Sequence, residues 1–451
     1  MSMRDRARWA VVTLLSMALL SAPAIWNRFP LLQYDTGGYL ARWYEPYLVP
    51  SRAVVYGLIL NAGAPLSFWP VVLGQSALAV WVIALVLRAH GLGGRPGLLA
   101  GIVAALATLS TLPWLTSILL TDIFAGLAVL ALYLLLLRTD ELRRGERVGL
   151  AILIAVSVAT HSATFAVLLA LLGAAALLSI MGSRRLPRRR LGNGALALAF
   201  GAALVFAANA VVTRQLAWTP GGFALSFGRM LQDGIVKKYL DEHCPRAQLV
   251  LCAYKDELPR DADEWFWGSP LFDKLGRFAG LGQEMERIAL ASLAEYPLLQ
   301  IKTAAVATAR QLIDVRTGEG VVNSIWHTYG IIERYKPRLV PEMRAARQQL
   351  GEIDFTIFNR LHYPLALASL VLLPLIAVYA LRWRRLSDIG ELAAACSLAV
   401  LANAFVCGAL SNPHDRYGAR LIWLAVTAAA LAAVRLYEQR QAAGEIAPAP
   451  Q

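Results

Sequence analysis

The chain is predicted to be an all-α polytopic membrane protein, with about ten transmembrane helices and a small extracytoplasmic subdomain. Three observations predict this. Of its 451 residues, 57% are hydrophobic and only 16% charged, with a mean hydropathy of +0.52, where a soluble chain carries roughly a quarter charged residues. Apolar runs near the ~20 residues needed to cross a bilayer recur from end to end. Short arginine clusters separate alternate runs, as in "RTDELRRGER" (138–147), "RRLPRRR" (184–190) and "RWRR" (382–385). That alternation is the signature of cytoplasmic loops. The net charge of +13 therefore reports topology and attraction to anionic lipid, and no nucleic-acid partner is expected.

Read in order, the apolar runs place spans at about 9–26, 70–88, 98–114, 118–137, 148–162, 164–181, 193–213, 362–381, 389–410 and 418–436, with both ends cytoplasmic. The opening "MSMRDRARWAVVTLLSMALLSAPA" has the outline of a signal peptide but is read as an uncleaved first span. Residues 1–212 form an N-terminal transmembrane module whose first outer loop is 26–69. Residues 213–361 balance acidic against basic side chains and hold "DELPRDADEWFWGSP" (256–270), too polar to span. They are expected to form an extracytoplasmic subdomain of helices and loops. C-terminal spans fill 362–436, and 437–451 is a cytoplasmic tail. The localisation implied is a bacterial inner membrane.

Two of the four cysteines, Cys244 and Cys252, fall in the outer segment, where an oxidising compartment favours a disulfide. Cys396 and Cys407 sit inside one predicted span and read as small buried apolar residues. No cysteine or histidine spacing suggests a zinc site. "GLGGRPG" (91–97) lacks the preceding strand that a phosphate cradle needs.

The informative polar residues all fall on the predicted outer side. Tyr34 and Asp35 lie in "FPLLQYDTGGYLARWYEP", followed by Tyr39, Arg42, Trp43, Glu45 and Arg52. Asp122 opens a span, His161 separates two apolar runs, and Asp415, Arg416, Tyr417 and Arg420 share "SNPHDRYGARLIW". Each has an ordinary explanation. Asp35 can serve a turn, Asp122 a helix cap, His161 the interface, and Arg416 a lipid headgroup. Their gathering on one side of the membrane points instead to a site, because charges at membrane depth are costly and tend to mark function.

A first span followed by an outer loop with an early Asp35, then the long helix "FWPVVLGQSALAVWVIALVLR", resembles the GT-C superfamily of integral-membrane glycosyltransferases. These include the protein mannosyltransferase, aminoarabinose transferase and rhizobial lipopolysaccharide sugar transferase types. "TDIFAGLAVLALYLLL" and the late "DRYGARLIW" fit the same layout. The resemblance implies a polyprenyl-phosphate-linked sugar donor, a glycan, lipid or protein acceptor, an inverting reaction and an active site facing the periplasm. Many members carry two near-adjacent acids in the first loop. Here Asp35 stands between Tyr34 and Thr36, the next acid being Glu45, so no metal or other cofactor is expected, a divalent ion being the less favoured option.

On this reading Asp35 is the catalytic base, and its two following glycines let the backbone turn close to the donor. Arg416 or Arg52 binds the departing phosphate. Asp122 and His161 orient sugar or acceptor, and Tyr34, Tyr39, Trp43 and Tyr417 line the substrate. The rival is a transporter or lipid-linked-sugar flippase, which would place its charges at the bilayer midplane between broken helices. A scaffold in an envelope-polymer machine is a third class and needs no such charged set.

Overall fold

The computed structural model describes residues 2–219, 222–382 and 386–446; part of the "RWRR" cluster and residues 447–451 of the expected tail lie outside them. The described residues are α-helices and connecting loops without a β-strand, apart from isolated bridges such as Leu31 with Ile118.

The N-terminal part comprises α1 (Met3–Leu20), α2 (Ala22–Asn27), α3 (Thr36–Ala41), α4 (Val54–Gly63), α5 (Trp69–Ala89), α6 (Pro96–Leu109), α7 (Leu112–Ser117), α8 (Asp122–Leu137), α9 (Arg144–Thr160), α10 (Ser162–Ile180) and α11 (Arg188–Thr213). The segment expected outside holds α12 (Gly222–Gln232), α13 (Ile235–His243), α14 (Pro270–Lys274), α15 (Arg277–Glu295), α16 (Pro297–Ile313), α17 (Trp326–Tyr335) and α18 (Val340–Arg344). Three long helices close the chain: α19 (Phe355–Arg382), α20 (Ser387–Ala404) and α21 (Asp415–Ile446).

Among the described residues, six helices are long and apolar enough to cross a membrane: Trp69–Ala89, Ser162–Ile180, Arg188–Thr213, Phe355–Ala380, Ser387–Ala409 and Asp415–Gln441. The chain is thus a multi-pass membrane protein. The other four expected spans coincide with helices that are shorter or more charged. α1 begins in "MRDRAR". The run 98–114 breaks where Ser110 turns extended, and it restarts as α7 with Pro113 in its first turn. The run 118–137 becomes helical only at Asp122, because Leu119 N–H donates to Leu31 O at 2.9 Å instead of starting a helix. α9 has 17 residues.

At ~1.5 Å per residue, the 16 residues of α8 reach about 24 Å, short of the ~30 Å hydrocarbon layer. It does not need to match that layer, because every residue from Asp122 to Leu136 is buried. α8 is the central post of the bundle, packed by α5, α9, α10, α11, α20 and α21.

The first loop, 26–69, contains the apolar α4, which packs on α9 and α11. The segment 213–361 is not one subdomain. Residues from α12 to α15 close around their own core, in which Phe227, Trp265, Phe266 and Phe272 pack with Met285. By contrast Val315, Val321, Ile325, Tyr329 and Ile332 join the main core, because α17 lays its apolar face on α3. The helices of 1–212 and 362–436 are likewise one packed unit, and α21 runs on to Ile446, into the expected tail.

Cys244 and Cys252 are joined, as their place in the sequence suggested, while Cys396 and Cys407 are free and buried. Thiol labelling of the denatured, unreduced protein should modify Cys396 and Cys407 alone. Labelling at all four positions would show that the bridge is not made.

Candidate functional site

The site is assembled from three chain segments pinned to one another by backbone contacts. The extended stretch before α3 is held from both sides. Leu31 N–H donates to Ser117 O at 3.0 Å, and Gln348 grips Leu32 by both its N–H and its carbonyl. Thr36 Oγ1 then donates to Leu119 O at 3.0 Å. These bonds set the start of α3 beside the start of α8, so Asp35 and Asp122 both stand at helix N-termini, where the helix dipole favours a carboxylate. The loop before α21 docks on the end of α16, with Gln311 bonding both His414 N–H and His414 O. That brings the first turns of α21 to the two acids.

Arg416 connects the three segments. Its Nη1 donates to Asp35 Oδ2 at 2.7 Å, and its Nε lies 3.7 Å from Asp122 Oδ2. Arg52 donates to the other oxygen, Oδ1, of Asp35. Arg420, fully buried, places Nη1 3.8 Å from Asp122 Oδ1 and 3.4 Å from His161 Nδ1, while its Nε and Nη2 donate to Asn403 Oδ1 at 2.9 and 2.6 Å. Three guanidiniums therefore face two carboxylates. Asp122 Oδ1 and Arg416 Nε are buried without a hydrogen-bond partner, a costly state that a further polar group would relieve.

Asp35, Arg52, Asp122, His161, Arg416 and Tyr417 are thus brought together, the Tyr417 ring lying under the Arg416 and Arg420 guanidiniums at 5.0 and 5.7 Å. Asp35 does lie in the turn before α3, but its oxygens bond Arg52 and Arg416. No side-chain cap is made at the start of α8, and Arg416 points inward to Asp35 rather than out to headgroups.

Other expectations are corrected. Tyr39 is only 1% exposed, its ring edge-on to Tyr56 and its hydroxyl near Thr121, so it is core and offers no face to a sugar. Tyr34, by contrast, is 51% exposed with its ring beside Gly320, so its face stays open. Arg42 pairs with Glu45 and donates to Gly38 O at 3.1 Å. The two glycines admit close neighbours rather than a bend toward a donor. A Cβ on Gly37 would lie 2.6 Å from Thr328 Cα, and one on Gly38 would lie 3.1 Å from Arg52 Nε. Cys407 is not purely apolar packing, since its sulfur accepts from Arg420 Nη2 at 3.2 Å.

Sequence reasoning passed over Asn403, Glu319, His414 and Asp263. Asn403, a lone amide inside an apolar run, was the one legible signal. Glu319 accepts the Arg416 backbone N–H at 2.7 Å and His414 Nδ1 at 2.6 Å, while His414 Nε2 stands 3.1 Å from Asp263 Oδ2. His414 so ties the α12–α15 unit to the site. Among the described residues, no group of three or more His, Cys, Asp or Glu side chains is placed to hold a metal ion.

The electrostatics follow from these contacts. Burial pushes the Asp35 carboxyl up, but Arg52 and Arg416 more than offset it and hold it down at about 2. With both oxygens occupied and so little affinity for a proton, Asp35 in this arrangement is an anion and not yet a base. Burial pushes the His414 imidazole down, and its bonds to Asp263 and Glu319 outweigh that and raise it to about 9. No family model matches the chain, and no curated protein and no solved structure matches it either.

A histidine whose value is raised on folding lends stability that is whole below its unfolded value of 6.5 and is lost as pH climbs through about 9. Thermal unfolding in detergent should therefore show the wild type losing stability between pH 6.5 and 9. His414→Gln should be less stable at pH 6 and flatter over that interval. Parallel profiles for the two proteins would count against the ion-paired histidine.

Proposed function

We propose that the protein is an inverting membrane glycosyltransferase. On this reading it moves a sugar from a polyprenyl-phosphate donor to a glycan, lipid or protein acceptor at the periplasmic face of the inner membrane. The observation that carries the reading is the set Arg52, Arg416 and Arg420 around Asp35 and Asp122, gathered at one end of the bundle with buried donor and acceptor atoms unfilled. Guanidinium forks match phosphate oxygens two at a time, and a carboxylate beside a bound phosphate is where an acceptor hydroxyl needs a base.

A small cavity of about 30 Å³, room for a water or two, marks one side of the cluster. It lies beside Arg52 and His161 and is walled by Val158, Val205 and Trp218. Its walls come from residues 48–55 at the start of α4, from the α9–α10 junction, and from α11 and the turn after it. α10 and α11 are among the least enclosed of the six long helices, each 28% buried against 61% for α5. A lipid-borne phosphate would reach Arg52 from that side while its chain stayed in the bilayer. The charged side chains of the long helices cluster toward their ends, where a boundary reaction uses them. A transporter would hold them at the midplane.

The chemistry requires little of the protein beyond placement. The acceptor oxygen attacks the anomeric carbon, and the bond from that carbon to the phosphate oxygen breaks with its electron pair going to the phosphate. The hydroxyl proton passes to Asp35, and polyprenyl phosphate departs. Arg52 and Arg416 stabilise the charge growing on the phosphate. Asp122, fixed between Arg416 and Arg420, sets the guanidinium planes, and exposed Tyr34 offers a face to a sugar. The topology that goes with this reading has ten passes, in which α1, α6, α8 and α9 cross as short helices.

Reporter fusions after Arg143 and Arg189 should read as cytoplasmic, and fusions at Gly38, Asp263 and His414 as periplasmic. A cytoplasmic signal at Asp263 would put the site on the wrong side for this chemistry. In membranes given labelled polyprenyl-phosphate sugars, Asp35→Asn should slow transfer by about 10²–10⁴-fold, the usual worth of a positioned base. Arg416→Ala should raise the donor KM as well as lower kcat, since it removes a charge-assisted contact. A near-normal rate for folded, abundant Asp35→Asn would end the catalytic assignment.

A further inference from the structure

Asp35 is assigned above as the base, yet both its oxygens are engaged. Arg52 takes Oδ1, and Arg416 takes Oδ2 at 2.7 Å. A carboxylate gripped at each oxygen by a separate guanidinium has the geometry of a phosphate seated between two arginines, with two anionic oxygens meeting two forks. It also leaves the forks partly unused. Arg416 Nε is buried with no partner, its nearest carboxylate oxygen being Asp122 Oδ2 at 3.7 Å. The other bond of the Arg52 guanidinium is a long one, 3.4 Å to Ser51 O. A phosphate has more anionic oxygens to offer these donors than a carboxylate does.

We propose that the Asp35 carboxylate occupies the seat of the donor phosphate between Arg52 and Arg416, so that an arriving phosphate displaces it and frees it to accept the acceptor's proton. This rests on the lipid-phosphate reading above and adds an order to it. Donor binding comes first, because Asp35 can serve as a base only after a guanidinium has been taken from it. The surroundings fit an exchange of anions. Three arginines face two aspartates, and Glu319, the next carboxylate, is spent on the Arg416 backbone N–H and on His414. With Asp35 in the seat the cluster carries one positive charge in excess, which an arriving phosphodiester would neutralise. The cavity beside Arg52 and His161 adjoins the Arg52 half of the seat, so displacement begins from that side. Loss of either guanidinium raises the proton affinity of Asp35, which is held near 2 by the pair.

The decisive quantity is a binding constant, and its expected sign is opposite to that of an ordinary contact residue. A short-chain polyprenyl phosphate is titrated into the purified full chain in nanodiscs and followed by calorimetry, for wild type, Asp35→Asn, Arg52→Gln and Arg416→Gln. Removing the competing anion should tighten binding by Asp35→Asn at least tenfold, and either arginine variant should weaken it at least tenfold. Binding by the wild type that is unchanged or weaker in Asp35→Asn overturns the shared seat and leaves the donor reading standing. Binding untouched by both arginine substitutions overturns the seat as well. No binding by wild type or variant removes the donor reading itself. Should Asp35→Asn fail to fold, the wild type answers alone. Carbodiimide labelling of Asp35, read by peptide mapping, should rise when the phosphate is added, and unchanged labelling with the phosphate bound overturns the proposal.

Discussion

The Arg416 guanidinium is the contact on which the arrangement of the site depends. It belongs to the first turn of α21, bonds Asp35 ahead of α3 and approaches Asp122 in the first turn of α8. Its own backbone N–H is tied to Glu319, on the loop between α16 and α17. Four parts of the chain, far apart in sequence, thus meet at this one residue. Because it is largely withdrawn from water, loss of either partner would leave an uncompensated charge, at a cost of roughly 3–5 kcal/mol. The contact therefore sets which ends of α3, α8 and α21 meet.

The rest of the bundle is organised around keeping that contact in place. In a bilayer, helices gain little from hiding apolar surface from one another, so close approach and polar bonds at the ends do more of the holding. α8 and α21 come together at Gly126, where a Cβ would lie 2.7 Å from the Trp423 ring. At the far end of the same helices a second polar network closes the bundle. Arg138 bonds Tyr133 and Glu391, His90 bonds Tyr133, and Arg435 reaches Asp388. With both ends tied, the middle of α8 can be wholly apolar and shorter than the membrane is thick.

The α12–α15 unit has its own aromatic core and its own disulfide, and it meets the site through a few polar contacts. His414 reaches Asp263, and Arg229 bonds Gly408 O and Thr303 O at 3.0 and 2.8 Å. Gly408 lies in the π-turn that follows α20, one residue from Cys407. Turns of that kind recur at functional sites because they break helical register locally. Here the turn carries Cys407, which joins Asn403 in bonding Arg420. A unit tethered at points that border the charged cluster can influence it without supplying residues to its centre.

What the sequence determined by itself was the solvent of each segment. Apolar runs broken by arginine clusters marked the long helices, and the isolated acids, histidine and arginines between them named most members of the charged cluster, including Asp35, Arg52, Asp122, His161 and Arg416. Cys244 and Cys252 were legible for a similar reason, being close in sequence and in a polar segment. Tertiary structure decided which charge met which, because pairing depends on how α3, α8 and α21 cross and no periodicity encodes that. It decided that Tyr39, on α3, is core while Tyr34, in the turn ahead of it, is exposed, since burial depends on which side neighbouring elements cover. It decided too that Gly37 and Gly38 make room for Thr328 and Arg52, partners 291 and 14 positions away in sequence. Composition fixes what a segment must be surrounded by, and only packing in three dimensions fixes which side chains do the surrounding.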